Sequence, residues 1–262
     1  MSVESAPVFG AEEVIQIAHA FEKDDRTFVI GGQATNVWAW FFADKAPDLK
    51  ALGPLTSQDI DYFGSQNVAR DVAKALGGKL LIPTIDDHTP NTAQVITVIN
   101  GKDIVIDFMR AVLGIRDREL QKGVSSIAVS ATIDGKEATV IIKLLHPLLC
   151  LKSRVVSMLH PATRRSDTIA RRQLEASIII ARTYIDDALS AGDWPEAKGC
   201  FRTLNWYLRS NEYVKRADRD LSADPLTILK GFVDDQRIDQ RYRENQMSKM
   251  ITEIEARRAN RK

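Results

Sequence analysis

Phe28-Val29-Ile30-Gly31-Gly32, then Ser57-Gln58-Asp59-Ile60-Asp61-Tyr62-Phe63, then Ile104-Val105-Ile106-Asp107-Phe108 are the three stretches on which the reading of this chain turns. The first is a short apolar strand, Thr27 to Ile30, closed by a glycine pair. It is followed from Gln33 to Ala43 by an apolar, aromatic segment (Val37, Trp38, Trp40, Phe41, Phe42) that predicts a helix buried against a sheet. A strand, a glycine turn and a helix N-terminus present backbone N–H groups and a positive dipole end to a phosphate, so Gly31 and Gly32 are candidate phosphate contacts. Gln33, Thr35 and Ser57 are further donors within reach of the same turn.

The second stretch alternates acid with apolar residues and predicts a strand end. Period-two alternation puts Asp59 and Asp61 on one face, with their bases about 6–7 Å apart. The third carries a lone acid, Asp107, in an otherwise apolar strand, where burial is costly unless a cation or a donor compensates it. An isolated Asp-x-Asp is more often a solvated or capping pair, and Gly-Gly is common in turns; the ordered combination is what points to one site. Hard cations such as Mg2+ take carboxylate oxygens together with substrate phosphates, and paired ions are bridged by a shared carboxylate. Asp59, Asp61 and Asp107 are therefore the candidate metal ligands.

Outward from these stretches, Ala11 to Phe21 and Asn67 to Leu76 have helical spacing. Lys79 to Ile85, Gln94 to Asn100, Lys102 to Met109, Ile127 to Ile133 and Ala138 to Leu144 are rich in β-formers, with hairpin signals at Asn100-Gly101 and Asp134-Gly135. From His146 onward the pattern becomes helical, through Leu174 to Ala191, Pro195 to Arg209 and Leu226 to Arg258, and the basic end Arg257 to Lys262 is expected to fray. The predicted fold class is α+β: a mixed-sheet N-terminal domain over 1–145, followed by a helical C-terminal domain over 146–262.

At 262 residues with 44% hydrophobic and 27% charged side chains, disordered, collagen-like and coiled-coil classes are excluded. The formal charge of +1 means that any attraction to nucleic acid must come from a local patch. One exists: Lys143, Lys152, Arg154, Arg164, Arg165, Arg171 and Arg172 lie in a segment whose only acid is Asp167, which either joins the site or pairs with its arginine neighbours. Lys152 sits on an apolar helix, where its charged tip is expected to point into a cleft. The aromatic residues of 38–42, and Trp194, Trp206 and Tyr207, are expected in the core. Cys150 and Cys200 have no zinc or disulfide spacing, and no hydrolase elbow, P-loop or dinucleotide fingerprint occurs. With no run of about 18 apolar residues, the expectation is a cytoplasmic protein without a membrane partner.

With its Gly-Gly turn, helix, Asp59-Ile60-Asp61 and later Asp107, the chain resembles the nucleotidyltransferase superfamily that includes DNA polymerase β. Within it, the chain is most similar to AbiEii-type and MenT-type toxin nucleotidyltransferases, through Ser57 two residues before Asp59, the segment His146-Pro147-Leu148-Leu149-Cys150-Leu151-Lys152-Ser153-Arg154, and Arg164-Arg165-Ser166-Asp167. The resemblance covers about 25–190. It implies an Mg2+- or Mn2+-dependent transfer of NMP from an NTP to an acceptor, with pyrophosphate released. Asp59, Asp61 and Asp107 would hold metal, Gly31, Gly32 and Ser57 would bind phosphates, and Lys152 would contact the triphosphate. It further implies tRNA or another RNA as acceptor and a cognate antitoxin. A small-molecule acceptor, as in antibiotic-modifying relatives, and a non-catalytic nucleotide- or protein-binding module are the alternatives.

Overall fold

A computed structural model describes residues 11–20, 27–53, 55, 59–84, 86–133, 135–161, 167–210, 212–214 and 217–260. In chain order the elements are α1 (Ala11–Ala20), β1 (Phe28–Val29), α2 (Gly31–Phe41), α3 (Pro47–Ala51), β2 (Ile60–Phe63), α4 (Gln66–Ala75), β3 (Lys79–Leu81), β4 (Asn91–Ile99), β5 (Lys102–Met109), α5 (Asp117–Leu120), β6 (Val124–Ile133) and β7 (Lys136–Leu145). They continue with α6 (Pro147–Leu159), α7 (Thr168–Ser190), α8 (Trp194–Ser210), α9 (Ala217–Asp220), α10 (Leu226–Lys230), α11 (Gln240–Tyr242), a π-helical turn (Arg243–Met247) and α12 (Ser248–Ala259). The fold is α+β. Two compact units divide it: Met1–Phe41 with Pro54–Cys150, and Phe42–Gly53 with Leu151–Lys262.

The first unit is built on a seven-stranded sheet of order β3-β4-β5-β2-β1-β7-β6. β2 runs parallel to β5, and β1 to β7; the other neighbours are antiparallel, so the sheet is mixed. The β4–β5 hairpin turns on Asn100 and Gly101, both at positive φ (53° and 73°), the conformation whose twist matches that of two strands joined by a two-residue loop. Gly135 (φ 75°) occupies the turn between β6 and β7.

The two faces of the sheet differ in burial. Ile60 and Tyr62 of β2, Ile106 and Phe108 of β5 and Val95 of β4 share the buried face, where the Tyr62 and Phe108 rings stack 6.0 Å apart. α4 closes part of this face, with the buried Thr97 donating from its hydroxyl to the Leu76 carbonyl at 3.0 Å. α2 is fixed to β7 by Trp38 Nε1, which donates to the Leu145 carbonyl at 2.9 Å, and α1 is held through the buried Glu13, ion-paired to Lys102 at the start of β5. Asp61, Phe63, Asp107 and Gln94 project from the opposite face and are only partly buried.

Several elements differ from the sequence expectation. α2 begins on Gly31 rather than at Gln33, and although Gly32 to Ala39 are buried, Trp40 and Phe41 at its end are 46% and 37% exposed. β3 stops at Leu81, well short of Ile85.

The second unit is helical. α7 packs on α8, and α10 and α12 close against them around Leu174, Ile180, Phe201, Leu204, Phe232 and Ile254. α7 starts at Thr168, earlier than the apolar periodicity indicates, because Asp167 caps it. The continuous helix expected over 226–258 is broken: α10 ends at Lys230 with Gly231 as its C-cap, the Asp235 carboxylate accepts the Arg237 backbone N–H at 2.9 Å, and Asp239 caps α11 through the Tyr242 N–H at 3.1 Å. Short acidic side chains that bond the backbone locally favour turns over helix, and Asp235 and Asp239 both do so here. Within the basic end expected to fray, α12 runs to Ala259 and the mostly buried Arg258 clasps Asp224 with two bonds of 2.6 and 2.8 Å, while Arg261 and Lys262 lie outside the described residues. Trp206, expected in the core, is 46% exposed.

Candidate active site

β1 delivers the chain to Gly31 at φ 65°, a left-handed conformation that glycine adopts without steric cost. Ile30 N–H donates to the Asp61 carbonyl at 2.9 Å, which ties the turn to β2. The turn lies so close to the Asp61 side chain that a Cβ on Gly31 would collide with Oδ2. Glycine is required here twice over, by the backbone angle and by the approach of the carboxylate.

Asp61 and Asp107 are register partners on the adjacent parallel strands β2 and β5, so they point from the same face of the sheet. On the other side of β5, Gln94 of β4 is the register partner of Asp107, and its Nε2 donates to Asp107 Oδ1 at 2.7 Å. A row of side chains thus crosses three strands: Gln94, Asp107, Asp61. Asp59 sits at the bend that leads into β2 and is exposed.

Burial raises the Asp107 carboxyl above the usual carboxylate range. A hydrogen bond from Gln94 opposes the rise, the negative charge of Asp59 adds to it, and a hydrogen bond from Asn91 opposes it again. The three acids are therefore near enough for Asp59 to be felt at Asp107. Gln94 and Asn91 were not singled out from the sequence, yet a signal was there. The two-residue turn pairs Ile99 with Lys102, and counting back along the ladder from it places Gln94 opposite Asp107.

Carboxylate oxygens are the donors a hard divalent cation takes, and burial and a neighbouring acid destabilise Asp107 as an anion, penalties that a bound cation would relieve. The structure does not bring the ligand atoms of Asp59, Asp61 and Asp107 together within 4.8 Å of one another. A separate cavity of about 540 Å³ lies beyond the ends of β2 and β5, lined by Phe63, Ser65, Asn67, Asp71, Arg110 and Asp117 among others; the three carboxylates do not line it.

The other expected residues are placed as follows. Gly32 is buried in the first turn of α2. Gln33 and Thr35 are fully buried, and Gln33 Oε1 accepts from Asn36 Nδ2 at 3.1 Å, so these side chains belong to the packing of the helix and not to an open phosphate cradle. Ser57, Arg164 and Arg165 lie outside the described residues.

Lys152 belongs to the second unit and is 5% exposed. Its Nζ lies 5.3 Å from the ring centroid of Trp206 and 5.6 Å from that of Tyr207, whose hydroxyl donates to the Lys152 carbonyl at 3.1 Å. A cation at these distances over ring faces is held by their quadrupoles. Asp167 serves as the N-cap of α7, with Oδ1 accepting the Ala170 N–H at 2.8 Å. Asp167→Ala is expected to cost about 1 kcal/mol of stability, read as a lowered Tm, while Asp167→Asn retains most of it because an amide oxygen caps almost as well.

No family model matches the chain, and no match was found among curated proteins or solved structures. No described helix is long and apolar enough to cross a membrane.

Proposed function

We propose that the chain is a divalent-metal-dependent nucleotidyltransferase that moves an NMP from an NTP to an acceptor hydroxyl. The observation that carries this reading is the alignment of Asp61 with Asp107 on neighbouring parallel strands, with the Gly31 turn closed onto Asp61. Asp59, Asp61 and Asp107 would hold Mg2+ or Mn2+, which supplies charge stabilisation for the triphosphate and for the developing oxyanions.

The chain's own residues account for the remaining steps. The Gly31-Gly32 turn and the N-terminus of α2 offer N–H groups to the β- and γ-phosphates. Asp107, as general base or through the ion it would share, takes up the proton of the acceptor hydroxyl. The acceptor oxygen bonds to the α-phosphorus, the bond from that phosphorus to the bridging oxygen breaks, and pyrophosphate leaves with the electron pair. This chemistry needs positioning and charge compensation and no covalent nucleophile. The resemblance to toxin nucleotidyltransferases extends the proposal to an RNA acceptor, tRNA first, and to a cognate antitoxin; Arg171 and Arg172, both exposed on α7, are candidate backbone contacts.

The test is incubation of the full chain with Mg2+, each α-labelled NTP in turn, and total RNA. Label transferred to RNA, and absent with a folded Asp61→Asn variant, supports the proposal. Pyrophosphate release without labelled RNA moves the acceptor to a small molecule. NTP that is bound and never consumed overturns the enzymatic reading.

Gln94 acts in this scheme as a positioning residue for Asp107. Because its hydrogen bond opposes the raised proton affinity of Asp107, Gln94→Ala is expected to move the acidic limb of the pH–rate profile to higher pH, since the base must be deprotonated to act. An unshifted limb with a lowered rate would show that Gln94 is structural only.

A further inference from the structure

We propose that β6 is a self-pairing edge, through which two copies of this chain join their sheets antiparallel about a two-fold axis at Ala128. β6 is the last strand of the sheet, is 10 residues long, and pairs with β7 without a register shift from Val124 to Ile133. Among the described residues, no further backbone segment bonds to it. Its sequence, Val-Ser-Ser-Ile-Ala-Val-Ser-Ala-Thr-Ile, contains no charge and no proline.

Sheet edges are ordinarily protected by shortness, charge, proline or a bulge. The opposite edge follows that rule, for β3 has only three residues and begins with an exposed lysine, Lys79. β6 has none of these devices, and a long, straight, neutral edge is a template for another strand.

The features of β6 favour a second copy as the occupant. Antiparallel pairing about Ala128 sets Ser126 opposite Ser130, Ile127 opposite Val129, Ser125 opposite Ala131 and Val124 opposite Thr132. The two central pairs match in size and polarity, the two outer ones in size alone, and no like charges meet, which is the electrostatic obstacle to self-association at a charged edge. The pairing also preserves the two faces. Ile127 and Val129, each 5% exposed, continue the buried side of both sheets, while Ser126, Ala128 and Ser130 stay on the exposed side. Following the ladder through β7 and β1, that exposed side is the face that carries Asp61 and Asp107. The two carboxylate rows of the dimer therefore open on the same side of one continuous sheet. An interface made by a single strand pair is small, so the dimer forms at high concentration and exchanges.

The experiment is sedimentation equilibrium of the full chain up to about 500 µM, a range suited to a small transient interface. The expected result is a mass rising from 29.3 kDa toward twice that value, with amide exchange in 124–133 slowing as concentration increases. Ala128→Lys and Ala128→Glu each place two like charges on the axis at an exposed position, and each is expected to remain monomeric with an unchanged Tm. Mixed in equal amounts they are expected to dimerise again. A wild-type chain that stays monomeric over the whole range overturns the proposal, as does an Ala128→Lys variant that dimerises like wild type. Neither outcome bears on nucleotidyl transfer, which is read separately by the labelling experiment.

Discussion

Asp61→Asn and Asp107→Asn are each expected to lower nucleotidyl transfer by about 10³-fold, the scale seen when one preorganised charge-stabilising group is removed from a site, while leaving the protein folded. The two side chains are isosteric with their parents, and each sits on a face of the sheet that is open enough to hydrate an amide. Stability separates the variants in an informative way. Burial raises the affinity of Asp107 for its proton in the folded state, so the folded chain binds more protons than the unfolded one between the ordinary carboxylate value of 3.8 and the raised folded value. Stability therefore falls as pH rises through that window, and the whole cost is present above it. Asp107→Asn removes the cost while keeping an oxygen to accept from Gln94. Its Tm at pH 7 is expected to exceed that of wild type, and the difference should close as pH falls toward the ordinary carboxylate value. Mg2+ held as proposed would relieve the same strain, so it is expected to raise the Tm of wild type and to have little effect on Asp107→Asn. Thermal denaturation with and without Mg2+ at several pH values checks both statements. A Tm for Asp107→Asn below that of wild type at pH 7 would contradict the assignment of Asp107 as a strained anion.

Gly31→Ala is the most damaging single change expected at the turn. The left-handed backbone costs a side-chain-bearing residue about 1–2 kcal/mol, and the added methyl collides with Asp61 Oδ2, an overpacking term of about 1–3 kcal/mol. Relief requires either the carboxylate or the turn to move, and each movement takes apart the alignment on which transfer depends. The expected outcome is a Tm lowered by on the order of 10 °C together with loss of transfer. By contrast Gly135→Ala, also at positive φ (75°) but with open space around the missing Cβ, is expected to cost only the backbone term and to leave transfer intact. Equal loss of transfer in both variants would show that the approach to Asp61 is not what makes Gly31 special.

The turn and two of the acids of this candidate site were legible in the chain because the physics that places them is local. A strand followed by two glycines makes the turn, and an acid closing an apolar run marks Asp107; the period-two alternation expected to set Asp59 and Asp61 on one face holds only for Asp61, because β2 begins at Ile60 and Asp59 lies on the exposed bend before it. The Gln94 contact was not read from the sequence, although the hairpin that fixes its own register carries it. Asp167 was harder: next to arginines it read as an ion-pair partner or a site residue, and its role as a cap emerges only once α7 is seen to begin at Thr168. The break after Gly231 was hidden for a related reason, since its charged residues suit a helix surface as well as the turns they make.

The amino-acid order by itself determined the α+β class, the centres of the strands, the glycine turn and the three acids as candidates, because hydrophobic periodicity, glycine conformation and hairpin geometry act over a few residues. Only the tertiary structure decided that β2 lies beside β5 with Asp61 in register with Asp107, that residues 42–53 group with the helical unit, and that Lys152 is covered by Trp206 and Tyr207. Parallel pairing and packing between distant segments depend on the sum of many weak contacts over the whole fold, and no short stretch of chain encodes that sum.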